Sequence, residues 1–192
     1  MSGDAIKLVT EALRSRLETA LTRSTIPGTV FVGPLDDADA SGAALVLFLY
    51  RIVPNAHLRN REHTIVTSTP PPIIFRNSLP LDLYYLISVG TIPGSSEETF
   101  LTALGFAMQE FQMNPELTGP TINNQAVHVS IEPLTTEESS RIWALFPTAN
   151  YRTSVAYLVT PVWIDPDRPE IVAGPVVEDQ LHAGPPDSGV VS

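Results

Sequence analysis

The four histidines are the side chains best suited to bind a metal ion or to move protons at neutral pH. They lie at positions 57, 63, 128 and 182, and none stands four residues from another, the spacing that puts two imidazoles on one helix face. Arg59 and Arg61 lie between the first two, where their charges oppose a cation. The sequence therefore predicts no metal site, no cofactor and histidines that lie at the surface.

Nucleophiles and phosphate-binding loops give no better signal. The chain has no cysteine, which excludes thiolate chemistry, thiolate metal sites and a disulfide framework. No G-x-S-x-G elbow surrounds any serine. Gly90–Gly94 precedes a predicted helix, whose N-terminus attracts anions, but no lysine accompanies it. We interpret this segment as an ordinary loop.

Acidic pairs include Asp36-Asp37, Glu97-Glu98 and Glu137-Glu138. The last two fall in the first turns of predicted helices, where the helix dipole favours negative charge. The first belongs to a turn, where aspartate side chains bond to the local backbone. These placements explain the pairs without catalysis, so we predict that the protein is not an enzyme.

Asp82 is the one acid set among large apolar residues, between Leu81 and Leu83. A catalytic interpretation requires that its surroundings raise its pKa. A structural interpretation pairs it with Arg76 or another basic group near the start of the strand. The second interpretation is favoured.

The net charge of −10 is unevenly placed. Residues 1–79 hold eight basic and seven acidic side chains, whereas residues 80–192 hold three basic and fourteen acidic ones. Because affinity for nucleic acids comes mainly from lysine and arginine, nucleic acid is excluded as a partner. No apolar run is long enough to span a bilayer, and no secretory signal is evident, so no membrane insertion is expected.

Three segments have helical periodicity. Apolar residues from Ile6 to Leu21 share one helix face, with Asp4 as the expected N-cap and Pro27-Gly28 as the end. A capping box is predicted at Ser95–Glu98 for a helix that runs to Pro115. A second one, Thr135–Glu138, opens a short helix before Pro147.

Strands are predicted between these helices. Ala43–Val53 is typical of a strand buried on both faces, and Leu81–Ser88 of a central strand, with a short helix as the alternative. Val127–Ile131 and Ser154–Ile164 complete the set of long strands. Pro161 cannot donate to a ladder, so it is expected at a sheet edge or a bulge. The mixed order predicts an α+β fold, a single domain in which about three helices cover a mostly antiparallel mixed sheet.

The composition changes at the C-terminal end. Residues 165–192 hold five prolines, three glycines, six acids and no aromatic residue. We therefore predict a domain over 1–165 and a Pro/Gly-rich acidic arm over 166–192. Two interpretations of the arm stay open, namely an unordered tail and an extended strip that binds a neighbouring subunit's sheet edge.

Several segments together resemble one known family, the cap or tail-terminator proteins of extracellular contractile injection systems. These systems are phage-tail-like particles of the antifeeding-prophage and virulence-cassette type. The resemblance runs from about Ala5 to Asp165, and its most specific pieces are LYRIVPNAHLRNR, PLDLYYL and the stretch from Trp143 to YRTSVAY. No second domain is found, so additional functions of longer relatives are not carried over.

The resemblance implies a phage tail-terminator-like fold and a mechanical role. Such caps form a six-fold homo-oligomeric ring that ends inner-tube and sheath polymerisation and anchors the top of the sheath during contraction. The implied partners are further copies of the chain and the tube and sheath proteins. Assembly is expected in the bacterial cytoplasm, in a particle that can be released. The alternatives are a cargo-binding adaptor or another structural subunit of such a particle and, with less weight, an enzyme of unknown type.

Seven residues are the predicted protein interface. They comprise a basic loop before the proline triplet and an apolar strip in the arm: Arg59, Asn60, Arg61, Ile171, Val172, Val176 and Val177.

Overall fold

The computed structural model describes residues 2–65 and 72–168. Within these two ranges the chain forms three α-helices, namely α1 (Ala5–Ser24), α2 (Glu97–Met113) and α3 (Thr136–Trp143). It also forms eight strands, namely β1 (Thr29–Val32), β2 (Ala43–Pro54), β3 (His63–Ile65), β4 (Ile73–Phe75), β5 (Leu79–Val89), β6 (Glu116–Leu117), β7 (Val127–Glu132) and β8 (Ser154–Ile164). No helix in this part of the chain is both long and apolar enough to cross a membrane.

Six strands form one sheet in the order β1-β2-β5-β8-β7-β6, and β3 and β4 form a separate antiparallel hairpin. Every pairing in the large sheet is antiparallel except β1 with β2. The predicted α+β fold with a mostly antiparallel mixed sheet is confirmed. The central position predicted for the fifth strand is also confirmed, and the helical alternative for this segment is wrong.

Two helices cover one face of the large sheet. Helices α1 and α2 pack on each other and on alternate residues of β2 and β5, such as Leu45, Leu47 and Tyr85. Burying each large apolar side chain contributes about 1.5–3 kcal/mol relative to leaving it exposed. The phenol of Tyr85 lies 2.7 Å from the Thr10 hydroxyl of α1, and burial raises its pKa to about 12, so the bond is made by a neutral phenol.

A buried acid connects the two helices. Glu110 of α2 accepts from Arg16 at 3.3 Å and from Arg23 at 2.7 Å, and both arginines belong to α1. The Asn114 amide donates to the same carboxylate at 2.9 Å. This set of partners allows a carboxylate to be buried at a helix–helix contact.

The opposite face is covered by α3 and by the crossover that joins the parallel strands β1 and β2. Leu35 and Ala40 of the crossover pack against Val46 and Leu86, together with Trp143. Within the crossover, the Asp37 side chain accepts from the Asp39 backbone N–H at 2.9 Å, the local bonding predicted for this acidic turn. The second half of β2 is not covered in this way, and its residues Arg51 and Ile52 are exposed. Burial on both faces therefore holds only for the first half of β2.

The helix ends agree in part with the sequence. The predicted capping box at Thr135–Glu138 is present, and its hydrogen bonds lower the pKa of Glu138. For α2 the N-cap is Ser96 rather than Ser95, so Glu98 does not take the N3 position of a capping box. Asp4 precedes α1 without a side-chain cap bond. At the end of α1, Thr25 takes the left-handed conformation before Pro27-Gly28 is reached.

Gly90, directly after β5, lies close to the backbone of β2. An alanine substitution there can be compared with one at Gly105, which has open space around it. A Cβ at this position would lie 1.9 Å from the Ala43 carbonyl oxygen, so Gly90→Ala requires a backbone shift. We expect a loss of about 3 kcal/mol or more in the free energy of unfolding, measured by urea denaturation. In Gly105→Ala the new methyl group meets nothing within 4 Å on α2, so this variant should gain about 0.5–1 kcal/mol. Equal stability of the two variants would contradict the close approach.

Candidate assembly interface

The predicted basic loop begins at Asn55, directly after β2. The Asn55 side-chain oxygen accepts from the backbone N–H groups of His57 at 3.0 Å and Leu58 at 3.1 Å, which organises the start of the loop as an Asx turn. Its backbone N–H donates to the Pro80 carbonyl at 2.9 Å, which ties the turn to β5. The loop is therefore fixed at its first residue.

Asp82 holds Asn55 in place, and we call this contact the first anchor of the loop. Its carboxylate accepts from the Asn55 side-chain amide at 2.9 Å and, by a short bond, from the Thr160 hydroxyl. The predicted pairing of Asp82 with Arg76 or another basic group is wrong, because the partners of its carboxylate are Asn55 and Thr160, whereas Arg76 donates to Glu62 at 2.9 Å. Between Leu81 and Leu83 the β5–β8 register shifts, and this bulge accommodates Thr160 and Pro161. The bulge predicted at Pro161 is confirmed, although β8 lies inside the sheet rather than at its edge.

A second carboxylate fixes the end of the loop. His63 Nδ1 and Asp165 Oδ1 lie 2.7 Å apart with both side chains buried, and the Ser78 hydroxyl donates to the same oxygen at 2.7 Å. The imidazole stacks on Trp163 with ring centroids 4.8 Å apart and an interplanar angle of 5°. The prediction that the histidines lie at the surface is wrong for His63, which is buried. Its partner Asp165 is 102 residues away in the sequence, so no local pattern indicated this contact.

Between the two anchors the loop is exposed and basic. Arg59, Asn60 and Arg61 line a shallow depression of about 280 Å³, together with Glu62 from the same loop and Arg76 and Asn77 from the turn after β4. We call these six residues the arginine groove. The structure therefore brings the predicted loop residues together and adds Arg76 and Asn77. Neither residue has a local sequence signal that links it to the loop.

The second part of the predicted interface, Ile171, Val172, Val176 and Val177, lies outside the described residues. The structure nevertheless describes the residues that precede this strip, up to residue 168. Buried Asp165 binds His63 and Ser78, which immediately follow the two sides of the arginine groove in sequence. Residues 166–168, which continue from this point, are exposed. The basic loop and the start of the C-terminal segment therefore share one end of the domain.

The described part of the chain offers little to support catalysis. Among residues 2–65 and 72–168, no group of three His, Asp or Glu side chains is arranged to hold a metal ion. An open groove of about 550 Å³ lies between α1 and the segment 117–123. Its Arg16 is already bound to Glu110 of α2.

The same architecture occurs in solved terminators of contractile particles. The sheath/tube terminator of the PVC extracellular contractile injection system, in its extended state, matches with a TM-score of 0.60 and 16% identity. The match covers 96% of this chain and 65% of that chain. The tube-terminating cap of the anti-feeding prophage matches with a TM-score of 0.56 and 20% identity, over 85% of this chain and 57% of that chain. The chain thus has the tail-terminator fold, and it spans less than two thirds of the length of either protein.

The family follows from the sequence model of the Pvc16 N-terminal domain, which matches residues 8–178. The chain belongs to this family, as the resemblance predicted. The match continues past residue 165 and includes the four predicted arm residues. Among curated proteins, none matches the chain.

Two carboxylate–histidine pairs among residues 2–65 and 72–168 provide a matched test of the second anchor. His63–Asp165 is buried, whereas His128–Glu116, at 2.6 Å, has side chains that are about half exposed. Asp165→Ala should lower the free energy of unfolding by about 2 kcal/mol, because buried donors lose their acceptor. Glu116→Ala should cost at most about 0.5 kcal/mol. Urea denaturation gives both values, and hydrogen exchange should accelerate at residues 57–65 in Asp165→Ala alone. Unchanged exchange there would remove the anchoring role.

Proposed function

We propose that this protein is a terminator subunit of a contractile injection system, which caps the inner tube and the sheath when they reach their final length. The observation that carries the proposal is the structural match to a sheath/tube terminator over 96% of the chain. The family match over residues 8–178 supports it independently. The proposed role is mechanical and requires no catalytic residue.

In this proposal several copies form a closed, six-fold ring. A ring requires two different surfaces on each copy that bind each other. The large sheet offers two unlike ends, the four-residue strand β1 and the two-residue strand β6. Both are short, which limits uncontrolled strand addition. Tube and sheath subunits are the proposed partners on the flat faces of the ring, where the cap stops growth and anchors the sheath during contraction.

We assign different roles to the two parts of the chain on either side of the predicted boundary at residue 165. Residues 1–165 are the body of the cap, and residues 166–192 are an arm that contacts a neighbour through Ile171, Val172, Val176 and Val177. The family match extends through residue 178 and therefore includes this strip. Assembly is proposed to occur in the bacterial cytoplasm, within a particle that is then released.

The length distribution of particles tests the function. Deletion of the gene should give tubes and sheaths of uncontrolled length, or no intact particles, in electron micrographs of purified material. Complementation with the full chain should restore a single length. Intact particles of unchanged length would overturn the proposal, and co-purification with cargo rather than with tube and sheath proteins would then identify an adaptor.

Charge reversal at the loop tests the interface. Arg59→Glu/Arg61→Glu should abolish capping in the complementation assay while leaving urea unfolding unchanged, because both side chains are exposed. The control is Lys7→Glu/Arg14→Glu, which changes the net charge equally on the exposed side of α1. The control should cap normally. Normal capping by the loop variant would exclude these arginines from the interface.

A further inference from the structure

The arginine groove has an excess of positive charge on a strongly acidic chain. Arg59, Arg61 and Arg76 contribute three positive charges, and Glu62, which binds Arg76, contributes one negative charge. Within residues 2–65 and 72–168, Arg59 and Arg61 form no ion pair, and both are exposed. With a net charge of −10 on the whole chain, such a surface favours an acidic partner and is unlike its surroundings.

The chain itself contains an acidic segment of the required kind. Residues 169–192 hold four acids, Glu170, Glu178, Asp179 and Asp187, and no lysine or arginine. We propose that the acidic C-terminal segment of a neighbouring copy of this chain occupies the arginine groove. This proposal rests on the ring described under the proposed function. Glu178 and Asp179 face Arg59 and Arg61 in this arrangement, and the apolar residues 171–177 cross the subunit boundary.

The position of Asp165 explains why the segment binds a neighbour rather than its own groove. Asp165 is held beside the groove of its own chain, so binding in cis requires residues 166–177 to form a closed loop that returns to its starting point. The next residues are Pro166-Asp167-Arg168-Pro169, in which the two prolines favour extended backbone. Both features direct the chain away from its own domain.

The length of the segment fits a contact between neighbours. Fully extended, the chain from Asp165 to Asp179 spans about 45 Å. A domain of this size has a radius of gyration of about 16 Å, so an extended segment is long enough to carry the acidic pair past its own domain to a neighbouring copy. Exposed ion pairs are individually weak and are screened by salt. The contact therefore depends on several charges together and on the closed ring.

The absence of cysteine from the chain permits a direct test by disulfide formation. One full-length variant carries Asn60→Cys in the groove, and a second carries Gln180→Cys beside Asp179, so that all the proposed charge pairs remain. The two variants are mixed at equal concentration, both as purified protein and in assembled particles, and are oxidised mildly. Non-reducing gels measure the covalent dimer in the mixture and in each variant oxidised alone, and the excess in the mixture is the heterodimer.

We expect the heterodimer in the mixture, and we expect about tenfold less when the Asn60→Cys chain also carries Arg59→Glu/Arg61→Glu. The Lys7→Glu/Arg14→Glu control should leave its yield unchanged. Salt at about 1 M, where the Debye length is about 3 Å, should reduce it as well. A heterodimer that is insensitive to these reversals would overturn the proposed charge contact.

Two further outcomes would also overturn the proposal. A third variant carries Asn60→Cys and Gln180→Cys in the same chain. An intramolecular disulfide in this variant, without heterodimer in the mixture, would place the segment in its own groove. No disulfide in either experiment would exclude the contact. The particle-length assay reports on capping alone, so failure of the proposed function and failure of this contact are distinguishable.

Discussion

Strand β5 has to be covered on both faces of the sheet, and the arrangement of the domain depends on this requirement. Its alternate residues from Leu81 to Val89 pack in the cluster beneath α1 and α2, whereas Leu86 on the other face packs in the cluster beneath α3 and the β1–β2 crossover. Antiparallel pairing with β2 and β8 satisfies its backbone along most of its length. Because a one-residue slip would exchange the two sets of side chains, the pattern of β5 also fixes the register of its neighbours.

The functional surface depends on the same strand through polar rather than apolar contacts. Asp82 of β5 fixes the start of the basic loop through Asn55, and Asp165, just after β8, fixes its end through His63. An exposed loop gains little order from its own arginines, because surface charges are well solvated. Two partnered carboxylates, one half-buried and one buried, position the loop instead. The arginine groove is thus part of the rigid domain although its side chains are exposed.

The unlike ends of the large sheet suit the proposed ring. A subunit that ends a polymer has to bind its neighbours without extending the sheet indefinitely. Strand β1 has four residues and β6 has two, so each end offers few backbone groups for strand addition. Specific side-chain contacts, such as those proposed for the arginine groove, then define which neighbour binds and at what angle.

The sequence by itself determined the three helices, the long strands and the α+β class. Local periodicity predicts the type of each element, and caps such as Thr135–Glu138 predict where a helix begins. It also singled out Arg59–Arg61, by charge, and the family, by the order of its motifs. Only the tertiary structure decided the burial of His63, the partners of Asp82 and the addition of Arg76 to the groove. Each depends on residues far apart in the chain, such as His63 and Asp165, and no local pattern records which strand will pass beside which loop. The two short hairpin strands escaped prediction for the same reason, since three residues are too few to display a period.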